Sequence, residues 1–239
     1  MEVHHVKTTR KKFWHYSFEF LMLFLAVTAG FFADNLREQG VEHHREKKYM
    51  ATMVEDLKKD INEIDRIRPL RVAREDSLDA LINLLTKKDK DKYIRDIYRL
   101  INNTEGYESF LRNDRTIQQL KSAAGLRLIN EEVASSIMKY DTYIISEVDW
   151  NNRTEAGRID FYKQQRFEIF DVNSIRRAIS METTDPFILL PAVPAAINKV
   201  AGAIFQVKRI SETCRESADT ARVKAKNLLS VIDEKYHIH

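Results

Sequence analysis

Few side chains in this sequence are grouped in a way that could do chemistry. Glu42, His43, His44 and Glu46 combine carboxylates with imidazoles, which are ligands that zinc accepts. The HExxH spacing, which places two histidines one turn apart on a helix face, is missing. A pH-responsive or simply exposed patch is therefore the better interpretation, and we expect no metal site.

A second charged group resembles an acid–base centre at first sight. The carboxylates Glu55, Asp56 and Asp60 alternate with Lys58 and Lys59 between apolar positions. Charges interleaved in this way are typical of the solvated face of a bundle helix. We therefore expect no catalytic residue and no cofactor, and we interpret the protein as not being an enzyme.

The composition narrows the class of protein. Of 239 residues, 31% are charged, and the net charge of +3 is too small to favour nucleic acid as a partner. Only six Gly and four Pro interrupt the chain, and the alternation typical of strands is absent, so the sequence predicts an all-α fold. Cys214 is the only cysteine, which excludes an intrachain disulfide and favours a packed position on a helix.

An apolar run at residues 13–33 precedes the charged part of the chain and decides where that part is held. As a helix with about 1.5 Å rise per residue it spans roughly 31 Å, close to the roughly 30 Å hydrocarbon core of a bilayer. The aromatic residues at its start, Phe13, Trp14 and Tyr16, resemble an interfacial aromatic belt. Glu19 interrupts the run, so a buried helix of a soluble protein is the alternative, although no later segment offers such a helix a matching apolar surface. We interpret residues 13–33 as one transmembrane helix.

Basic residues set the expected orientation of this helix. Lys7, Arg10, Lys11 and Lys12 precede the run, and Asp34 follows it. Because cytoplasmic flanks carry more Lys and Arg, we expect residues 1–12 to be a cytoplasmic leader and residues 34–239 to be a periplasmic domain, held at the inner membrane. A cleavable signal peptide is the rival, but no cleavage site is well placed, which favours an uncleaved signal anchor.

One face of the predicted membrane helix is small and partly polar. At 100° per residue, Glu19, Ala26, Gly30 and Ala33 share this face. Small residues at this spacing let two helices approach closely in lipid. The face is therefore a candidate packing surface for a second copy or a protein partner. Glu19 is either paired there or simply interfacial, and a proton pathway is a third, weaker interpretation.

Heptad patterns predict long helices in the rest of the chain. Apolar residues at positions 50, 54, 57, 61 and 64 predict a helix that Pro69 ends. The last helix, predicted over residues 194–236, has a seam in which only Ser211 is polar: Val200, Ile204, Val207, Ser211, Cys214, Ala218, Ala221, Ala225, Leu228 and Ile232. The alanines require a close neighbour, either the helix of residues 50–64, the helix that starts at Glu131, or another copy.

Shorter helices are predicted between these two. They cover residues 71–86, 93–101 and 113–124, and we expect Gly125 to end the third in the left-handed conformation. Asn130 is the predicted cap of a long helix that runs toward Phe170, and Gly157 is the predicted position of a kink. Its seam residues are Val133, Ile137, Tyr140 and Ile144. The predicted fold is all-α: one N-terminal transmembrane helix that continues into an elongated helical bundle.

Two later stretches are candidates for contacts. Residues 161–170 carry five aromatic or apolar side chains, which we interpret as core packing, with a ligand pocket as the alternative. Residues 182–194 are irregular and contain an apolar segment bounded by two prolines: Phe187, Ile188, Leu189 and Leu190. An apolar loop of this kind is a candidate partner contact or lid.

Residues 19–38, 44–61 and 116–129 resemble a family of uncharacterised, single-pass helical envelope proteins of Gram-negative bacteria. Glu19, Asn35 and Glu38 match its anchor helix, although Leu36 and Arg37 replace its usual Trp-Asn pair. A second segment is similar to the family's Leu-Lys-Ser-x-Gly-x-Leu-x-Leu-Ile pattern, at Leu120, Lys121, Ser122, Gly125, Leu128 and Ile129. The resemblance implies an anchored helical domain and implies no activity, cofactor or catalytic residue.

These patterns favour a non-enzymatic scaffold or accessory subunit of a cell-envelope assembly, which acts through helix–helix contacts with protein partners or with a second copy. Two alternatives stay open. One is an extracytoplasmic bundle that senses a ligand and signals through a partner. The other is a subunit of an ion-driven motor or transport complex that uses Glu19.

Overall fold

The computed structural model describes residues 9–122, 125–180 and 186–238, apart from a few side chains. The described residues form helices and no strand, which confirms the predicted fold class. Most of the predicted leader lies outside the described residues, as do residues 182–185 of the predicted irregular stretch. The helices are α1 (Thr9–Leu85), α2 (Ile94–Glu105), α3 (Arg115–Ser122), α4 (Glu131–Tyr143), α5 (Asp149–Gln165), α6 (Val172–Ile179) and α7 (Pro194–Tyr236).

The chain divides into two units, Met1–Tyr49 and Met50–His239. In the first unit, the apolar stretch of α1 is exposed all round: its large apolar side chains from Trp14 to Leu36 are between 47% (Leu21) and 75% (Phe31) exposed. By length and composition this is the one helix among the described residues that is suited to crossing a membrane. Directly after residues 13–33, Arg37 forms an exposed ion pair with Asp34 at 2.9 Å.

The second unit is built around three long helical segments: residues 50–85 of α1, the α4–α5 segment, and α7. The backbone N–H of Asn130 donates to the Tyr236 hydroxyl at 2.8 Å, and Lys199 pairs with Glu168 at 2.5 Å. These pairs join the start of one segment to the end of the other, so α7 runs antiparallel to α4–α5. Ion pairs along α1 and α7 follow the same antiparallel order: Asp65–Arg222, Arg68–Asp219, Glu75–Arg215 and Asp79–Lys208.

The predicted break of α1 at Pro69 is wrong, because the helix continues through it to Leu85. Proline removes one backbone donor and leaves the carbonyl of Asp65 without its helical partner. Pro69 faces solvent, where water can satisfy that carbonyl, while a buried seam continues on the opposite side. The seam repeats every three and four residues without a shift: Met50, Met53, Leu57, Asp60, Ile64, Ile67, Arg71, Arg74, Leu78, Leu81 and Leu85.

The structure confirms both the predicted bounds of the final helix and its predicted buried seam. The helix α7 covers Pro194–Tyr236, and all ten predicted seam residues are buried. It packs along its length against α4 and α5. Ala218, Ala221 and Ala225 have small side chains, so the backbone of α7 can lie close to the neighbouring helices.

The long helix predicted from Glu131 is confirmed at its start and differs in its middle. The Asn130 side chain accepts from the N–H groups of Glu132 and Val133, as an N-cap should. The helix is interrupted by a π-helical turn at Ile144–Val148 and not at Gly157, which lies inside α5. A π turn inserts one extra residue into the helix and rotates the seam that follows it.

Gly125 is needed for close packing and not for a left-handed backbone, which corrects the sequence prediction. No glycine in the described ranges has a positive φ. A Cβ at Gly125 would lie 3.1 Å from Leu120 Cδ2 and 3.3 Å from Leu120 Cα, whereas a Cβ at Gly157 would meet nothing within 4 Å. A side chain is therefore disfavoured at Gly125 by packing against Leu120, whereas no described neighbour disfavours a side chain at Gly157.

Alanine substitutions at these two glycines should change stability in opposite directions. We expect Gly125→Ala to lower the free energy of unfolding by about 1 kcal/mol through crowding against Leu120. Gly157→Ala should raise it by about 0.5–1 kcal/mol, because α5 is solvent-exposed there and Ala favours helix. Urea unfolding followed by circular dichroism measures both, and equal signs would contradict the packing role of Gly125.

Candidate functional site

A buried cluster of charged side chains lies at the centre of the three long segments. Arg71 and Arg74 of α1 and Glu155 of α5 are 2%, 6% and 0% exposed. Arg71 places two guanidinium nitrogens on the two oxygens of Glu155, at 3.3 and 3.1 Å, and Arg74 donates to Oε1 at 2.6 Å. Two buried cations therefore share one carboxylate.

The heptad seams explain why these residues meet. Arg71 and Arg74 occupy core positions of the α1 seam, and Glu155 faces them from α5. Ser211, the single polar member of the α7 seam, accepts from Arg74 at 3.3 Å. Buried charges are tolerated only when they are paired and hydrogen-bonded. The α5 carboxylate and the α7 hydroxyl must therefore lie at the same height along the bundle as the two α1 arginines.

Arg74 also closes the end of α2. Its Nη2 donates to the backbone carbonyl of Thr104 at 3.1 Å, in the last turn of the helix, and the Thr104 hydroxyl donates to the carbonyl of Ile101 at 2.6 Å. Carbonyls in the last turn of a helix have no helical partner and attract cations. The cluster thus fixes α2 against α1.

A second ion pair borders the cluster. Glu75 of α1 accepts from Arg215 of α7 at 3.0 and 3.1 Å. Burial raises the pKa of Glu75, and the charge of Arg215 only partly offsets this. Cys214, one residue before Arg215, is buried on the same seam, and burial together with the charge of Glu155 raises the pKa of its thiol to about 12. The thiol is therefore not a nucleophile at neutral pH.

The two arginines also line a cleft of about 380 Å³. Leu70, Gly106, Tyr107 and Glu108 complete its walls. The guanidinium of Arg74 lies over the Tyr107 ring, 5.3 Å from the centroid. Burial and the negative charge of Glu155 raise the pKa of Tyr107, so its hydroxyl is neutral. The cleft offers cationic groups, one hydroxyl and an apolar wall.

No known protein family, curated protein or solved structure matches this chain.

The predicted membrane-helix packing residues all lie on the exposed stretch of α1. Glu19, Ala26, Gly30 and Ala33 are exposed, as expected for a face without an intramolecular neighbour among the described residues of the first unit. Their role in packing stays a prediction. For the metal alternative near residues 42–46, no group of three or more potential ligands occurs among the described residues.

The predicted contact segment alternates between inward and outward side chains. Phe187 and Leu189 pack against the core, whereas Ile188 and Leu190 are more exposed. Leu189 forms an isolated antiparallel bridge with Phe170, and the carbonyl of Ile188 accepts from the Tyr98 hydroxyl at 2.6 Å. A partner contact by this segment stays a prediction, and Ile188 and Leu190 are the side chains available for it.

The expectation that residues 55–60 form a solvated face is wrong for two carboxylates. Asp56 and Asp60 are buried. Asp60 accepts from the Tyr140 hydroxyl at 2.8 Å and from the backbone and side-chain N–H groups of Asn113 at 2.7 and 2.8 Å. Asp56 accepts from the Thr116 hydroxyl at 2.6 Å. Both carboxylates therefore hold the start of α3 against α1.

Asp141 of α4 is a third buried carboxylate in this region, and it accepts from Arg112 and Lys121. Burial of Asp141 opposes its ionisation, but the hydrogen bonds from Lys121 and Arg112 outweigh burial and lower its pKa. Burial of Asp60, in contrast, outweighs its hydrogen bonds and raises its pKa.

These opposite shifts predict opposite pH dependences. Because the native pKa of Asp141 lies below the unfolded value, Asp141 stabilises the fold above the unfolded pKa and loses this effect as pH falls through the native pKa. We expect Asp141→Asn to lower the free energy of unfolding by about 2 kcal/mol at pH 7, with a smaller difference in acid. Urea unfolding at several pH values measures this difference.

Asp60→Asn is the matched control with the opposite sign. Because the native pKa of Asp60 is raised, its favourable contribution is complete below the unfolded pKa and is lost as pH rises through the native pKa. The wild type should therefore lose stability relative to Asp60→Asn as pH rises. Parallel pH profiles for the two variants would contradict the assigned directions.

Sequence reasoning missed the charged cluster, although a signal was present. Arg71 and Arg74 continue the three-and-four spacing of the α1 seam beyond Ile67, and Glu155 lies on the buried seam of α5 between Asn151 and Ile159. A charged residue at a core heptad position needs a buried partner. The assumed break at Pro69 hid this pattern, because it separated Arg71 and Arg74 from the seam that leads to them.

Proposed function

We propose that the chain is a membrane-anchored, non-enzymatic scaffold or accessory subunit of a cell-envelope assembly. One observation carries the proposal: the apolar stretch of α1 exposes large side chains on every side in its own unit. Exposure of this apolar surface to water is strongly unfavourable, and lipid or a second apolar helix would cover it. The anchor is proposed to lie in the inner membrane, with its start in the cytoplasm and the helical domain in the periplasm.

The small face of the anchor is the proposed contact surface. Ala26, Gly30 and Ala33 carry little side-chain volume, so another helix can approach the backbone there. Glu19, at the start of the same face, would find a polar partner in such a contact. Helices of the second unit, whose buried seams are already filled, are proposed to present their exposed surfaces to the rest of the assembly.

Membrane fractionation and crosslinking test the proposal together. The full chain should sediment with membranes and resist extraction by alkaline carbonate, and a reporter fused to its carboxyl end should be active only in the periplasm. Lipid-embedded crosslinking should capture a second copy or a partner through the anchor. Recovery in the soluble fraction would overturn the anchor, and a strict monomer without a crosslinked partner would overturn the scaffold role.

A pair of leucine substitutions makes the crosslinking specific. Gly30→Leu places bulk on the small face, whereas Thr28→Leu places the same side chain on the opposite face. The Thr28 hydroxyl bonds only within its own helix, to the carbonyl of Phe24 at 2.8 Å, so its loss is mild. We expect Gly30→Leu to reduce the crosslinked fraction severalfold and Thr28→Leu to leave it unchanged.

A further inference from the structure

A cavity of about 290 Å³ lies between the end of α1 and the chain that leads into α7. Leu85 of α1 and Ile169 line it and are 1% and 2% exposed, and Leu189, Ala192 and Ile197 add further apolar walls. Ligand-binding pockets measure about 300–1,000 Å³, so this cavity is at the small end of their range. It therefore has room for one small molecule with an apolar part.

Two side chains of opposite charge line the same cavity. Lys90 and Asp91 are neighbours in the short 3-10 helix Lys90–Tyr93. Lys90 is partly buried and Asp91 is exposed, and within the described ranges neither side chain forms a hydrogen bond or an ion pair. Charged groups that are partly withdrawn from water gain from a counter-charge, so the cavity favours a ligand that supplies one to each.

The nearby charges do not supply these counter-charges, because they are paired with each other. Lys92 pairs with Asp89 at 3.5 Å, and Lys199 of α7 pairs with Glu168 at 2.5 Å. Among the described lining residues, the two charges left without a partner are therefore one cation and one anion. A ligand with a single charge would leave one of them unpaired, whereas a zwitterion pairs with both.

We propose that this cavity binds a free amino acid with an apolar side chain. Lys90 pairs with the α-carboxylate, Asp91 pairs with the α-ammonium group, and the apolar side chain lies against Leu85 and Ile169. Binding ties the segment of residues 189–192 to the end of α1, because both line the cavity. The proposal goes beyond the scaffold role and does not depend on the membrane anchor.

Calorimetric titration of the detergent-solubilised full chain tests this site with a matched set of probes. L-Leucine carries both charges and an apolar side chain, isocaproate lacks the ammonium group, isoamylamine lacks the carboxylate, and glycine lacks the side chain. We expect one leucine to bind per chain, and each of the other three to bind about tenfold more weakly or less. Equal affinity for any of the three, or no leucine binding at millimolar concentration, would overturn the proposal.

Charge variants test the two assigned ion pairs. Lys90→Met and Asp91→Asn each remove one charge from the cavity, and Lys88→Met and Asp89→Asn make the same changes at exposed residues that do not line it. We expect the first two variants to weaken leucine binding about tenfold or more and the last two to leave it unchanged. Lys90→Met should also remove the preference for leucine over isoamylamine, and Asp91→Asn should remove the preference over isocaproate. Retention of these preferences would overturn the assigned pairs.

A pair of phenylalanine substitutions tests the location without changing a charge. Ala192→Phe fills the cavity, and Ala195→Phe adds the same ring at an exposed position of α7 that does not line it. We expect Ala192→Phe to weaken leucine binding about tenfold or more and Ala195→Phe to leave it unchanged. Circular dichroism shows whether both variants are folded. Unchanged affinity in folded Ala192→Phe would overturn the location.

Discussion

Glu155→Ala is expected to lower the free energy of unfolding by about 3–5 kcal/mol, because it leaves two buried arginines without a carboxylate. Arg71 and Arg74 are held away from water by the three long segments, and Glu75, which interacts with Arg71, is already paired with Arg215. The loss therefore combines the missing hydrogen bonds with the repulsion of two unpaired cations. Urea unfolding of the wild type and the variant gives the difference directly.

Two further variants test whether the loss of stability in Glu155→Ala comes from the unpaired buried charges or from any mutation in α5. Asp160→Ala removes an exposed carboxylate of the same helix, whose pair with Lys163 is long at 3.9 Å, and should change stability by less than about 0.5 kcal/mol. Replacing Arg71, Arg74 and Glu155 together by Met should recover most of the loss, since apolar residues of similar volume need no ionic partner. A small effect of Glu155→Ala would contradict the assigned burial.

Phe170→Ala is expected to cost about 3–5 kcal/mol of stability through the cavity that it leaves. The Phe170 ring packs edge-to-face on Tyr98, with centroids 5.6 Å apart, and Phe187 stacks on the same tyrosine at 5.2 Å. Phe170 also carries the bridge to Leu189. Loss of the ring should loosen the segment of residues 186–190, because Phe187 and Leu189 pack in the same apolar cluster, and limited proteolysis should cleave there faster.

Phe167→Ala is the matched control three residues away. Phe167 is 45% exposed and lies beside the guanidinium of Arg166, 4.8 Å from the ring centroid. Its removal should cost no more than about 1 kcal/mol and should leave the proteolysis rate unchanged. Equal losses for the two variants would show that the aromatic stretch does not divide into core and surface in this way.

This division also answers an alternative left open by the sequence. Tyr162, Ile169 and Phe170 are buried, whereas Phe161 and Phe167 are largely exposed. Core packing is therefore confirmed for three of the five side chains. None of these five side chains lines the cleft at Arg71 and Arg74.

The exposed anchor and the buried cluster have different consequences for function. The proposed anchor concerns where the protein is held and which helices it meets, and the cluster concerns how the helical domain is stabilised. The variants proposed for each do not overlap. Gly30→Leu changes a residue of the first unit and Glu155→Ala changes a residue of the second, so the two experiments test separate predictions.

Local patterns in the sequence determined the all-helical class, the apolar stretch of α1, the Asn130 cap and the whole seam of α7. These features depend on residues within a few turns of one another, where helical periodicity and capping chemistry act directly. Tertiary structure alone decided the continuation of α1 through Pro69, because packing on both sides of the proline outweighs one missing hydrogen bond. It also decided the burial of Asp60 and Arg71, whose partners Tyr140 and Glu155 lie 80 and 84 residues away in the chain. A charge is stable in a core only where a distant segment brings its counter-charge or hydrogen-bond donor, and local spacing does not contain that information.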